Sequence, residues 1–420
     1  EAQRLKKYLT FLETGKPIKP EDYEEESDNI HIVVRNIVDG KFEENSLIYI
    51  SDDKAEELEK YRIQKRDIII AISSNCGFSF FYNGEDKRNL TLSHYLAHFR
   101  INENLVNPIF LNYYINSKPL KQYFRSVETG KTLKNLSKYY IKEMPVLIPD
   151  KPKQDQIITQ IEPIEKKIKE LKAQITPPQE VINKVFAKEF GFDLEKFEKS
   201  KKEKFFEVDF ANINTSLIRS TVIQNKISSN YLKSFLSKKS IFLKDIILKP
   251  IKRGKQPEYT EDGIKVIKTL NIQKGGITFE EVQFVSDNFL KNNEEKAGIY
   301  KNDLLLTSTG MGRGKFALYE DEEICFADSH ISIIRFSQEK FIPNFLNYYC
   351  QSFFGTEQLK YIEMHIKGTP EIYETQLNYF QIPNIHLKAQ QKIVDEIKSE
   401  LNKQEEIKSK IENERNKIDE

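Results

Sequence analysis

Two stretches of the chain are patterned at helical spacing. Ile157, Ile161, Ile164, Ile168, Leu171 and Ile175 step by fours and threes, a heptad stripe. Ile393, Ile397 and Leu401 begin a second stripe, which Ile407, Ile411 and Ile418 continue with a phase slip. The intervening positions mix Lys and Glu, a face suited to water. Stripes only two positions wide per heptad predict a helix-pair seam rather than a broad globular face. Two such helices in one chain pack most economically against each other, antiparallel; packing of each on its own domain is the alternative. About 25 residues at 1.5 Å rise span roughly 38 Å, close to the roughly 34 Å of one DNA turn. Pro163 predicts a kink or restart inside the first helix, and Pro177-Pro178 ends it. A further helical segment, Glu180–Phe190, closes at Gly191 as a C-cap, and the charged stretch Glu195–Lys204 reads as a link.

Elsewhere the pattern changes to short β-branched and aromatic runs, such as Asp303–Thr309 and Ile331–Phe336, and it occurs twice. Phe-Leu-Asn-Tyr-Tyr stands at 110–114 and again at 345–349, an offset of 235 residues. Its neighbours align at offsets of 235 to 239: Gly15-Lys16 with Gly254-Lys255, Asn36-Ile37 and Gly40 with Asn271-Ile272 and Gly275, and Asp67 with Asp303. Ser93-His94 likewise matches Ser329-His330, Asn107-Pro108 falls opposite Ile342-Pro343, Gly130 matches Gly368, and Gln154 matches Gln390. A periodic series of this kind marks a duplicated module. Each copy runs from a mixed segment through an Asn-Tyr-Tyr helix and a proline-bearing strand (Met144–Pro149, Gln381–Ile385) into a long charged helix. The stretch from about Phe205 to Ser240 has no counterpart ahead of Gly15 and position 1 is Glu, so residues upstream are expected.

Length and composition add bounds. A chain of 420 residues implies two or three domains, and 39% hydrophobic with 31% charged residues supplies both cores and a wettable surface. Lys plus Arg number 65 against 64 acidic residues; a net charge of +1 decides nothing about nucleic acid, which responds to the local field. Cys76, Cys325 and Cys350 share no metal-ligand spacing, so a reducing cytoplasm is the expectation. No apolar run long enough for a membrane span and no leader pattern is seen.

Candidate chemistry is sparse. Gly310-Met311-Gly312-Arg313-Gly314 lacks the Gly-Lys-Ser/Thr ending of a nucleotide loop, and Lys315–Tyr319 after it reads as a strand, not a helix. The segment is then a hairpin tip: either an ordinary glycine turn, or a loop whose Arg313 and Lys315 approach a DNA backbone or guanine edge. Its counterpart, Ser73-Ser74-Asn75-Cys76-Gly77, differs in chemistry and offers Ser74 and Asn75. His94 and His330 each follow a serine, but neighbours on a strand face opposite ways and no orienting carboxylate is apparent; they are structural histidines or DNA-facing groups. Gly130-Lys131-Thr132 and Lys367-Gly368-Thr369 are turns or phosphate contacts, as are Lys16 and Lys255, with Arg35 and Lys268 as weaker candidates. No Asn/Asp-Pro-Pro-Tyr/Phe signature and no Gly-rich methyl-donor site is found. No metal or catalytic residue is expected, and any chemistry is expected in a partner.

These features together resemble the specificity subunits of Type I restriction-modification systems. The marks are the proline-ended strand running into a Gln-led helix, Ile148-Pro149 then Gln154-x-x-Ile157-Ile158, and Ile385 then Gln390-x-x-Ile393-Val394; Val181–Phe197 and Arg219 resemble the central region of such subunits. The resemblance spans nearly the whole chain and rests on ordered recurrence rather than on any one motif. It implies an α+β protein with a pseudo-two-fold internal repeat: two similar mixed α/β target recognition domains, joined by two long helices in an antiparallel coiled coil. The expected divisions are 1–150 for the first domain, 151–202 for the central helical spacer, 203–387 for the second domain and 388–420 for the last helix. It further implies that each domain reads half of a split double-stranded DNA target while the helix pair sets the gap. Two adenine methyltransferase subunits dock on the helices, restriction subunits join them, and S-adenosylmethionine and ATP belong to those partners only. Helix-seam positions are Ile157, Ile161, Ile164, Ile168 and Leu171 against Ile393, Ile397 and Leu401. Two other readings stand beside it: the recognition part of a fused Type II restriction-methylation enzyme, and a helical adaptor that binds no DNA.

Overall fold

The computed structural model describes residues 2–44, 46–130, 134–202, 240–273, 276–310, 312–362, 364–366 and 369–419. Arg219 and most of the segment before Ser240 lie outside them. The chain forms two compact units, Glu1–Gln174 with Lys408–Glu420, and Ile175–Ile407.

In the first unit the principal strands are β1 (Leu9–Thr14), β2 (Asn29–Ile32), β3 (Ile68–Ala71), β4 (Ser79–Phe81), β5 (Asn89–Leu92) and β6 (Leu96–Ile101). One antiparallel sheet has the order β1-β6-β3-β4; a second places β5 parallel to β2. Strand β3 is buried on both faces. Ile68 and Ile70 pack with Phe99, Leu111, Ile115 and Phe124, while Ile69 and Ala71 pack with Ile30, Ile32, Leu90 and Leu92. Side chains alternate along a strand, so burial on both sides requires an unbroken apolar run.

The second unit repeats this arrangement with β7 (Lys252–Arg253), β8 (Ile264–Ile267), β9 (Leu304–Thr307), β10 (Phe316–Leu318), β11 (Cys325–Ala327) and β12 (Ile331–Ile334). Its antiparallel sheet has the order β7-β12-β9-β10, and β8 runs parallel to β11. The proline-bearing strands are short, Pro145–Val146 and Gln381–Pro383, each in a two-stranded ribbon where proline is tolerated.

The matched polar residues recur in role. Gln154, fully buried, donates Nε2 to the carbonyls of Leu105 (2.9 Å) and Pro149 (2.7 Å) and accepts the Asn107 N–H at 2.7 Å. Gln390 does the same with Lys340, Ile385 and Ile342, each at 2.9 Å. Asp67 takes His98 and Arg100, and Asp303 takes Arg335 through two bonds of 2.7 and 2.6 Å. Burial pushes the Asp67 carboxyl up, but the hydrogen bonds from His98 and Arg100 outweigh it and hold the group below its ordinary value.

The helices that frame these sheets are α1 (Pro108–Asn116), α2 (Lys151–Lys172), α3 (Pro178–Phe190), α4 (Pro343–Gln351) and α5 (Leu387–Asp419). Helix α2 continues through Pro163, so the expected restart does not occur. Pro163 sits on the exposed face, where water can serve the carbonyl left without an N–H partner. Helix α3 ends at Gly191 with φ of 64°, the left-handed cap. In the first unit α2 buries Ile158, Ile161 and Ile168 and leaves Ile157, Ile164 and Leu171 half-buried; Lys167 pairs with Glu414 at 2.5 Å. In the second unit Ile393 and Ile397 lie in one core with Ile182, Val185 and Phe186, and Leu401 packs against it. Lys188–Glu396 and Lys392–Glu189 ion pairs flank that contact at 2.6 and 2.8 Å. Helix α3, which carries no heptad seam, therefore meets the Ile393–Ile397 stripe. The phase slip after Leu401 has a local cause: Gln404 turns inward and accepts the Thr176 N–H at 2.8 Å, where the chain breaks between α2 and α3.

Candidate nucleic-acid interface

In each unit the strand ends gather the same loop positions at one edge of the antiparallel sheet. Gly15 follows β1 so closely packed that an added Cβ would lie 2.0 Å from the Leu92 carbonyl oxygen; at Gly254 the same probe meets Ala327 at 2.1 Å. Glycine is obligatory at both places. The packing turns the next residue outward, with the Lys16 N–H on Leu92 (2.9 Å) and the Lys255 N–H on Ala327 (3.1 Å). Both side chains are exposed. Lys16 Nζ lies 5.4 Å from the Tyr61 ring centroid, and Lys255 Nζ donates to Asn293 at 2.7 Å.

His94 and His330 occupy turns between strands, not the strands expected. The His94 ring lies 3.8 Å from that of Tyr95, and both are exposed. His330 shares a hydrogen bond with the Thr309 hydroxyl through Nδ1, and its backbone N–H donates to Asp328 at 2.9 Å. Asp328 therefore shapes the turn through the backbone and does not orient the imidazole, which is no arrangement for activating a serine. Beneath the first edge, His31 is buried against Thr91 (3.0 Å); burial, aided by the charge of His94, lowers it to about 4.

The β3–β4 and β9–β10 connections complete each edge. Ile72 N–H donates to Tyr95, and Ser74, exposed with φ of 62°, donates its N–H to Lys134 at 3.0 Å. Asn75 is exposed beside it. In the second unit Gly310 and Gly314 take φ of 80° and 82°, a hairpin loop followed by strand β10. Thr307 Oγ1 ties the loop by donating to Gly312 and accepting from Lys315 N–H, each at 2.9 Å. Arg313 folds back toward the Gly310 carbonyl (3.4 Å), and Lys315 Nζ donates to Ile272 at 3.2 Å. Thr309 bridges to Glu371 in the strand Thr369–Glu371, which brings Thr369 to this edge. Lys131 and Lys367 lie outside the described residues.

Arg35 and Lys268 are different positions of one turn. Asn36 accepts the Val33 N–H (3.1 Å) as Asn271 accepts that of Lys268 (2.9 Å), so Lys268 corresponds to Val33 and Arg35 to Leu270. Arg35 donates to the Ser46 carbonyl at 2.9 and 3.2 Å, whereas Leu270 is 64% exposed. Lys268 Nζ donates to Gln283 at 2.6 Å. Lys16, Lys255, Lys268 and Lys315 have no carboxylate within ion-pair distance among the described residues, unlike the many lysines that do. A sheet edge with uncompensated cations beside short polar loops suits a polyanion.

Sequence reasoning missed Thr309, Asp328 and Leu270. An Asp two residues before His330 is an Asx-turn signal that was available; the exposure of Leu270 has no sequence signature. Among the described residues no group of three metal-ligating side chains occurs, and no helix is long and apolar enough to cross a membrane.

Residues 10–177 match the family described as the Type I restriction modification DNA specificity domain. Among solved structures, the chain is similar to the Type I restriction-modification system S subunit from M. genitalium, at 14% identity and a TM-score of 0.39 over 100% of this chain and 94% of that one. A structure concerned with complex assembly and conformational transition of the type I R-M system is similar at 12% identity and a TM-score of 0.49, with the same coverage. The HsdS subunit from Thermoanaerobacter tengcongensis is similar at 12% identity and a TM-score of 0.34, again over 100% and 94% of the two chains. No curated protein matches the chain in sequence.

Proposed function

We propose that the chain, whose residues 10–177 match the Type I restriction modification DNA specificity domain, belongs to that family and reads a DNA target in two halves, one with each unit. The observation that carries this reading is the repeated sheet edge. The same glycine and lysine positions recur at both edges on the same backbone hydrogen bonds, whereas His330 takes the backbone position of Tyr95 and not that of His94. The reading loops differ, with Ser74 and Asn75 in one and the Gly310–Lys315 segment in the other. A shared frame with unlike loops suits two half-sites of unlike sequence.

In this reading the exposed lysines engage phosphates and the loops engage base edges, with His94, His330, Arg35, Arg313, Thr369, Lys131 and Lys367 as further contacts. A duplicated module suits the two-fold-related strands of duplex DNA. Helices α2 and α5 act as an antiparallel spacer that sets the gap and docks two adenine methyltransferase subunits, with restriction subunits joining the cytoplasmic assembly. Methyl transfer, with base flipping and S-adenosylmethionine, and ATP-driven steps belong to those partners. This chain supplies position and sequence preference only.

The test is co-expression with an adenine methyltransferase subunit, followed by single-molecule mapping of methylated adenines. A split motif with a fixed gap that disappears when this chain is omitted is the expected result. Methylation unchanged without the chain contradicts the reading.

A further inference from the structure

The first unit holds an ion-pair cluster that its reading edge does not use. A two-residue turn at Asp39 and Gly40, with φ of 51° and 76°, closes a hairpin in which Ile37 pairs with Phe42 and Val38 with Lys41. Positive φ at both turn residues is the geometry that Asp-Gly and Asn-Gly favour. The Asp39 carboxylate reaches two helices at once: Oδ2 accepts from Lys172 Nζ at 2.7 Å, at the end of α2, and from Arg415 Nη2 in the last turns of α5. Lys41, on the other arm, pairs with Glu165 of α2. On the inner side, Asn112 Nδ2 of α1 donates to the Gly40 carbonyl at 3.3 Å. Asp39, Lys172 and Arg415 are each about one-third exposed. Such a pair alone is weak, but one carboxylate shared by two cations near helix C-termini forms a network. By sequence the second copy carries Lys274 where the first has Asp39, so the device belongs to one module.

We propose that Asp39 is a positioning residue that fixes the first sheet edge relative to α2 and the last turns of α5, and so restricts the DNA gap at which the first half-site is engaged. This rests on the split-target reading above. One base pair of gap moves a half-site by about 3.4 Å and turns it by roughly 35°. A domain clamped to its helices does not follow that movement, and a released one does. Asp39→Asn keeps the turn chemistry and removes the charge; Lys172→Gln breaks the same cluster from the helix side.

The experiment is methylation mapping of the assembled complex on targets of varied gap, with hydrogen exchange of residues 37–42 measured alongside. In both variants the half-site sequences should stay those of the parent, methylation should spread to gaps one base pair shorter and longer, and the hairpin amides should exchange faster. Methylation confined to the parental gap, or exchange unchanged in both variants, overturns the proposal. If the parent complex methylates no split motif, the reading beneath it falls as well, an outcome distinguishable from failure of the clamp alone.

Discussion

At the scale of single residues, two constraints dominate this protein: close backbone approach and buried polarity. Gly15 and Gly254 show the first, since a Cβ at either would overlap a carbonyl of the neighbouring strand connection. His31 shows the second. Its folded value of about 4 lies below the ordinary 6.5, so between those limits the unfolded chain binds the proton and the folded one does not. Stability therefore falls as pH drops from about 6.5 towards 4, by up to about 3 kcal/mol for this group. Because the residue is only 1% exposed, solvent screening does little to reduce that figure. His31→Gln should flatten this part of the pH dependence, as read by urea midpoints of the parent and variant between pH 7 and pH 4.5. Equal slopes would show that His31 titrates normally. Residue types at such positions were legible in the sequence only as matched pairs. That glycine precedes lysine twice is visible; that it does so to pass a carbonyl is a tertiary fact.

At the scale of elements, the Gln-led helices explain the repeat best. Gln154 and Gln390 each close the start of a long helix onto the loop that enters α1 or α4, through three hydrogen bonds apiece. Gln154→Ala strands one buried N–H and two carbonyls and should cost about 3 kcal/mol or more. Denaturant unfolding should show the loss in the first unit's transition, with the second unit's transition in place. A loss below about 0.5 kcal/mol would mean that water replaces the amide fully. The heptad stripes were legible as helices, and their partners were not. Ile393 and Ile397 meet α3, whose Ile182, Val185 and Phe186 form a broad face rather than a seam. A stripe reports that a face is buried, not which surface covers it. Pro163 likewise reads as a breaker, but α2 continues through it, with its exposed place leaving the freed carbonyl open to water.

At the scale of the whole molecule, duplication is the property from which function follows, and it was the most legible feature in the sequence because matched motifs survive small insertions. The candidate edges were legible in outline: strand topology brings Lys16, His94 and the Ser73–Gly77 loop together in the first unit, and Lys255, His330 and the Gly310–Lys315 loop together in the second, though His330 stands at the backbone position of Tyr95. Leu270 and Thr309 were not, because their place depends on which loop folds beside which. If each edge reads its own half-site, exchanging residues 308–315 for the corresponding loop of a relative with another specificity is the most direct measurement. Methylated adenines should then map to a motif in which only one half has changed, with the other half and the gap preserved. A change in both halves, or in neither, would contradict the account.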